Sequence, residues 1–103
     1  MIVVNTEQIP GQAYRVMTLV TGCCVLCKNI GKDIGAGFRN FVGGEIQSYT
    51  EMLEESKERA IGKMIAQAQN IGADAIVNVR FSSTTIVAGG AELLVSGTAV
   101  KFI

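Results

Sequence analysis

Three cysteines, Cys23, Cys24 and Cys27, crowd the stretch TGCCVLCKNIG, and the chain has no histidine to join them. Thiolates are soft ligands that suit Zn²⁺, Cu⁺ and heavier thiophilic ions, so these three residues are the metal candidates. Distance limits what they can do. A zinc–sulfur bond of ~2.3 Å requires two sulfurs on one ion to lie within about 4 Å of each other. The stretch reads as a β-strand, in which Cys23 and Cys27 are ~13 Å apart. Cys24 and Cys27 point to opposite faces of that strand. Chelation then needs either a turn at Val25-Leu26, a poor turn sequence, or cysteines contributed by several subunits. The alternative is that all three pack as small hydrophobes. A redox role for Cys24-Val25-Leu26-Cys27 lacks the helix N-terminus that lowers a thiol pKa.

A second candidate lies between Gly31 and Glu45. Gly31, Gly35 and Gly37 offer backbone N–H groups, and Lys32 and Arg39 offer charge, as an anion or small ligand would need. The segment matches neither a P-loop nor a dinucleotide fingerprint. Its plainer reading is close helix packing, with Asp33 and Arg39 as an ion pair. No nucleophile stands beside a base, so no enzymatic activity is expected.

The elements that must position these residues follow from periodicity. Ile2 to Val4 reads as an edge strand, and Ile9-Pro10-Gly11 as a turn. Ala13 to Ile30 alternates as a strand apolar on both faces, with Gly22 marking a bulge or bend. Ile34, Phe38, Phe41 and Val42 predict a short helix over 32–42, broken by Gly43-Gly44. A long helix follows over 48–70. Ser48 and Glu51 form its capping box, and Met52, Leu53, Ala60, Ile61, Met64, Ile65, Ala68 and Ile71 form its apolar stripe. Glu55 and Arg59 pair at i,i+4, Gly62 permits a close contact, and Gly72 caps the C-terminus. Asp74 to Phe81 is a strand with Ala75, Val77, Val79 and Phe81 on one face. Ser82 to Val87 continues it or pairs as a further piece, and Leu93 to Ile103 closes the chain as a last strand. Helices on one side of a mostly antiparallel sheet make one α+β domain spanning residues 1–103.

Composition bears on partners. Nine basic residues balance nine acidic ones, which gives no footprint for nucleic acid or an anionic membrane. Val16 to Cys27 is the longest uncharged apolar run, too short to span ~30 Å of hydrocarbon as a helix. The N-terminus lacks a basic n-region, and three cysteines, an odd number, suit a reducing compartment, so a cytoplasmic location is expected. Apolar residues make up 49% of the chain and charged ones 17%, against a usual ~25% charged. A lone copy has too little charge to clothe its surface, which predicts a homo-oligomer.

The motifs Asn29…Asp33…Arg39…Gly43-Gly44-Glu45…Tyr49 and Gly72-Ala73-Asp74-Ala75 resemble those of the YbjQ-like family, small bacterial proteins labelled "putative heavy-metal-binding". The resemblance runs from the Ile9-Pro10-Gly11 turn to the closing strand. It implies a dodecin-like subunit, a sheet covered by one long and one short helix, assembling into a ring, a pentamer. It singles out Asp33, Arg39, Glu45 and Tyr49 as ligand-binding positions. Lysine at Lys32 and phenylalanine at Phe38 depart from the arginine and leucine common in the family, and the three cysteines are not a family hallmark. The expected function is binding of a soft metal ion, Zn or Cu, or of a small ligand by a self-assembling protein. The rival is a structural or interaction protein with no small ligand.

Overall fold

A computed structural model describes residues 1–26, 44–87 and 90–103, with backbone alone at 26, 44–49, 84–87 and 90–91. The chain forms β1 (Ile2–Val3), β2 (Tyr14–Leu26), α1 (Gly44–Asn70), β3 (Ala75–Val87) and β4 (Gly90–Phe102). The four strands make one mixed sheet in the order β1-β3-β4-β2. β1 runs parallel to β3, while β3–β4 and β4–β2 are antiparallel. The short helix expected over 32–42 lies outside the described residues.

The helix meets the sheet through one stripe of residues. Ser56, Ala60, Met64 and Ala68, four apart, are its buried positions, a stripe that keeps one face on the sheet. Ala60, Met64 and Ala68 pack with Val20 and Cys24 of β2, Ile76 and Val79 of β3, and Val95 and Ala99 of β4. Gly22 sits under this contact. A Cβ there would press into Ala60 O and come within 2.9 Å of Met64 N. So Gly22 is where α1 touches β2, and the bulge in β2 falls instead between Val16 and Thr18.

The opposite face carries a smaller cluster of Ala75, Val77 and Val100, covered by Val4, Ile9, Tyr14 and Phe102. The N-terminal segment reaches that face through a tight turn. Gln12 N–H donates to Ile9 O at 3.0 Å, with Pro10 and Gly11 at its centre and Gly11 at φ +77°, the left-handed conformation a type II turn requires.

A bulge in β3 reassigns its faces. Register shifts between Val77 and Arg80, and Asn78 takes φ 55°. An extra residue turns the side chains after it to the other face. Val79 therefore joins Ile76 on the helix side, not Ala75 and Val77 as simple alternation requires. Gly97 on β4 makes room: a Cβ there would stand 2.5 Å from Ile76 Cγ2 and 3.3 Å from Val79 Cγ2. The N-terminal segment fixes the bulge, since Asn78 N–H donates to Thr6 O at 3.0 Å and Val79 N–H to Val4 O at 3.1 Å.

Other expectations shift as well. α1 begins at Gly44, ahead of the expected start at Ser48, so Ser48 and Glu51 are interior residues and not a capping box, and Gly44 belongs to α1 itself. Gly62 has nothing near its missing Cβ and lies exposed. Leu53 and Ile71 are exposed rather than buried in the stripe. β3 is continuous to Val87, and β4 starts at Gly90, earlier than Leu93. The Glu55–Arg59 pair forms at 2.7 Å.

The helix ends as its sequence demands. Gly72 at φ +78° donates to Gln69 O, and Ala73 N–H reaches Ala68 O, both at 3.0 Å, a Schellman cap. Its last turn carries no basic residue. Lys101 of β4 supplies that charge, its Nζ 3.0 Å from Gly72 O and 3.4 Å from Asp74 Oδ1. Asp74 Oδ2 accepts from Phe102 N–H at 2.8 Å, and Asp74 N–H donates to Val100 O at 2.9 Å. The Gly72-Ala73-Asp74-Ala75 motif thus ties the end of α1 to the end of β4.

Candidate functional site

The cysteines of β2 separate. Cys24 is buried on the helix side with Val20, Met64 and Val95. Cys23, the next residue along the strand, points its side chain to the other face and is partly exposed. Two adjacent strand residues cannot place both sulfurs on one ion. Cys27 lies outside the described residues.

Cys23 has a different partner. Its Sγ lies 3.4 Å from Glu92 Oε1 on β4, because Cys23 is opposite Leu94 and Val25 opposite Glu92 in the β2–β4 register. Zinc bonded to one sulfur and one carboxylate oxygen in a tetrahedral site places those atoms ~3.5 Å apart. The pair therefore has the spacing of two ligands of one metal ion. Loss of hydration pushes the Cys23 thiol above its ordinary range, the hydrogen bond and negative charge of Glu92 push the same way, and Lys63 acts against them. Among the described residues no group of three or more Cys, Asp or Glu is clustered to hold an ion within one chain. Glu92 was not expected from the sequence; its closeness to Cys23 depends on a register set across about seventy residues.

The helix reaches over the free edge of β2 at the same place. Lys63 Nζ donates to Cys23 O at 2.8 Å, and Thr21 N–H donates to Gln67 Oε1 at 2.7 Å. On the face of Cys23, Leu19 and Val25 are 66% and 60% exposed. A buried core lies on one side of β2 and an open apolar face on the other.

Of the ligand positions expected between Asp33 and Tyr49, Asp33 and Arg39 lie outside the described residues. Glu45 and Tyr49 fall in the first two turns of α1.

The family description "Putative heavy-metal-binding" matches residues 1–103. The chain belongs to this family. It is 52% identical over 103 residues to a UPF0145 protein of Clostridium perfringens, covering 99% of this chain and 97% of that one. A UPF0145 protein of Thermosipho melanesiensis is also 52% identical, covering 100% and 96%, and one of Alkaliphilus metalliredigens is 45% identical over the full length of both chains. These names carry no enzymatic activity. The fold is shared with a crystallised DUF74-family protein of unknown function from Pediococcus pentosaceus, with TM-score 0.71 and 15% identity, covering 100% of this chain and 98% of that one. No helix among the described residues is long and apolar enough to cross a membrane.

Proposed function

We propose that the protein is a homo-oligomeric binder of a soft metal ion such as Zn²⁺ or Cu⁺. In this reading Cys23 and Glu92 are the donors each copy contributes. The observation that carries it is the 3.4 Å Cys23–Glu92 pair on an open sheet face. A closed zinc site takes four ligands; among the described residues one chain offers two here, so the rest come from outside this pair. Cys24 has no part in it.

Self-association is supported by shape and surface. The molecule measures 56 × 23 × 17 Å with a radius of gyration of 16.9 Å, against ~13 Å for a compact domain of this length. Val16, Leu19 and Val25 are all more than half exposed. The ring, a pentamer, that the family resemblance implies fits both features.

The rival reading, an assembly that holds no small ligand, is favoured by one observation: the Cys23 thiol already has a hydrogen-bond partner in Glu92. Native mass spectrometry of the reduced protein with added Zn²⁺ separates the two. The metal reading expects an oligomer carrying zinc that Cys23→Ser and Glu92→Gln both lose. An oligomer that carries no ion, or retains it in Cys23→Ser, overturns that reading.

A further inference from the structure

Among the described residues the sheet has two stretches of unpaired edge, and each is of a kind that monomers avoid. β2 is an outer strand of thirteen residues with one charge, Arg15, where isolated edges are normally blunted by lysine, proline or shortness. Among the described residues, Lys63 and Gln67 hold one acceptor and one donor along it, Cys23 O and Thr21 N–H. On the other side, β1 and the segment after it cover β3 only as far as Val79. Among the described residues no strand pairs with the outer edge of β3 from Phe81 to Val87. Beside that bare edge lies an apolar hollow of about 460 Å³ lined by Val3, Ile61, Val79 and Phe81. A second of about 310 Å³, lined by Leu53, Phe81 and Leu93, adjoins it at Phe81.

We infer that copies of this chain join through these two edges, the β2 edge of one copy pairing in parallel with the Phe81–Val87 edge of the next. This rests on the self-assembly proposed above and names its surfaces. Three considerations converge on the head-to-tail arrangement. Both β2 and β3 run antiparallel to β4, so they run parallel to each other, and a rotation that brings one copy's β2 beside the next copy's β3 keeps that sense. A two-fold contact of β2 with β2, or β3 with β3, leaves the other edge bare in every copy. Only the mixed contact engages both, the Gly22–Leu26 end of β2 meeting the Phe81–Val87 edge while β1 keeps its place on Ala75–Val79, and repeated around an axis it closes a ring.

The hydrogen-bonding sense also matches. Thr21 N–H and Cys23 O point outward to Gln67 and Lys63, so alternate residues Leu19, Thr21, Cys23 and Val25 send their backbone groups to the free edge. On β3 the outward residues are Phe81, Ser83 and Thr85, because Val79 N–H points outward to Val4. An outward residue on one parallel strand bridges the two outward residues flanking its neighbour. Cys23 would therefore sit beside Ser82, with both side chains on the face away from α1. The two residues already lie level within one copy, each opposite Leu94.

The test is disulfide trapping in a Cys24→Ala, Cys27→Ser chain. Neighbouring strands stand ~4.8 Å apart, within the Cα spacing a disulfide tolerates. Ser82→Cys is combined in turn with native Cys23, with Cys23→Ser plus Thr21→Cys, and with Cys23→Ser plus Val25→Cys, which covers a step of register either way. Mild oxidation is expected to link at least one pair into a ladder of covalent multimers ending at the native oligomer size. Ser82→Cys with Cys23→Ser alone is expected to give no ladder. The inference fails if the oligomer forms but no pair links, or if native Cys23 without Ser82→Cys traps dimers, which would mark a two-fold β2 contact. A monomer by native mass spectrometry fails the self-assembly reading itself, and this inference with it.

Discussion

Gly22 lies directly beneath Ala60, so close that a single Cβ would press into the Ala60 carbonyl oxygen. That contact sets the height of α1 over the sheet, and with it the packing of Cys24, Met64 and Val95. A backbone oxygen cannot rotate aside as a side chain can, so overpacking here moves the whole helix. Gly22→Ala is expected to cost roughly 3 kcal/mol, read as a lower midpoint in urea unfolding. Gly62 is the internal control. It is exposed, helical and free of neighbours, so Gly62→Ala is expected to stabilise by about 0.5–1 kcal/mol through helix propensity. Equal and small effects at the two glycines would refute the packing assigned to Gly22.

The joint at Gly72 and Asp74 gives a second expectation. Gly72→Ala forces a side chain into the left-handed region at a cost of about 1–2 kcal/mol. Asp74→Ala leaves Phe102 N–H without its acceptor and Lys101 without its carboxylate, for a loss of about 1–3 kcal/mol. Asp74→Asn keeps an acceptor for Phe102 and should recover part of that loss. If Asp74→Ala unfolds at the wild-type midpoint, the tie between α1 and β4 carries no stability.

Local features of this fold are legible in the sequence because their causes are local. The turn at Ile9-Pro10-Gly11, the i,i+4 pair of Glu55 with Arg59 and the cap at Gly72 each depend on residues a few positions apart. The bulge at Asn78 escapes such a reading, since its conditions are the missing side chain of Gly97 and the carbonyls of Val4 and Thr6. The close contact expected at Gly62 falls at Gly22 for the same reason: what distinguishes them is Ala60, which only one of them meets. At the candidate site, alternation places Cys23 and Cys24 on opposite faces. Nothing along the chain announces Glu92, whose position is fixed by strand register.

The Cys23 thiol provides a pH prediction. Desolvation first, and Glu92 second, raise its pKa above the ordinary thiol value. A raised pKa keeps the thiol protonated to higher pH, so the alkylation rate, which follows the thiolate, should climb with a midpoint above that of a free thiol. In a Cys24→Ala, Cys27→Ser background, Glu92→Gln removes the negative charge and should move the midpoint down, though not fully, because desolvation remains. Lys63→Ala should move it further up. A midpoint unchanged by Glu92→Gln would deny that the two groups interact in solution.

The same shift fixes how metal binding must vary with acidity. A thiol binds zinc as thiolate, so each Cys23 recruited releases a proton. With its pKa raised, that proton is still held at pH 7, and affinity should increase as pH rises from 6 to 8. Competition with a chromophoric chelator measures this directly. Cys23→Ser is expected to abolish binding and its pH dependence with it, and Glu92→Gln to weaken binding by about 10-fold or more through loss of a ligand. Cys24→Ala should bind as wild type does, because its sulfur faces the core beneath α1. If Cys24→Ala loses the metal while Cys23→Ser keeps it, the ion is held on the other side of the sheet and the assignment of Cys23 is wrong.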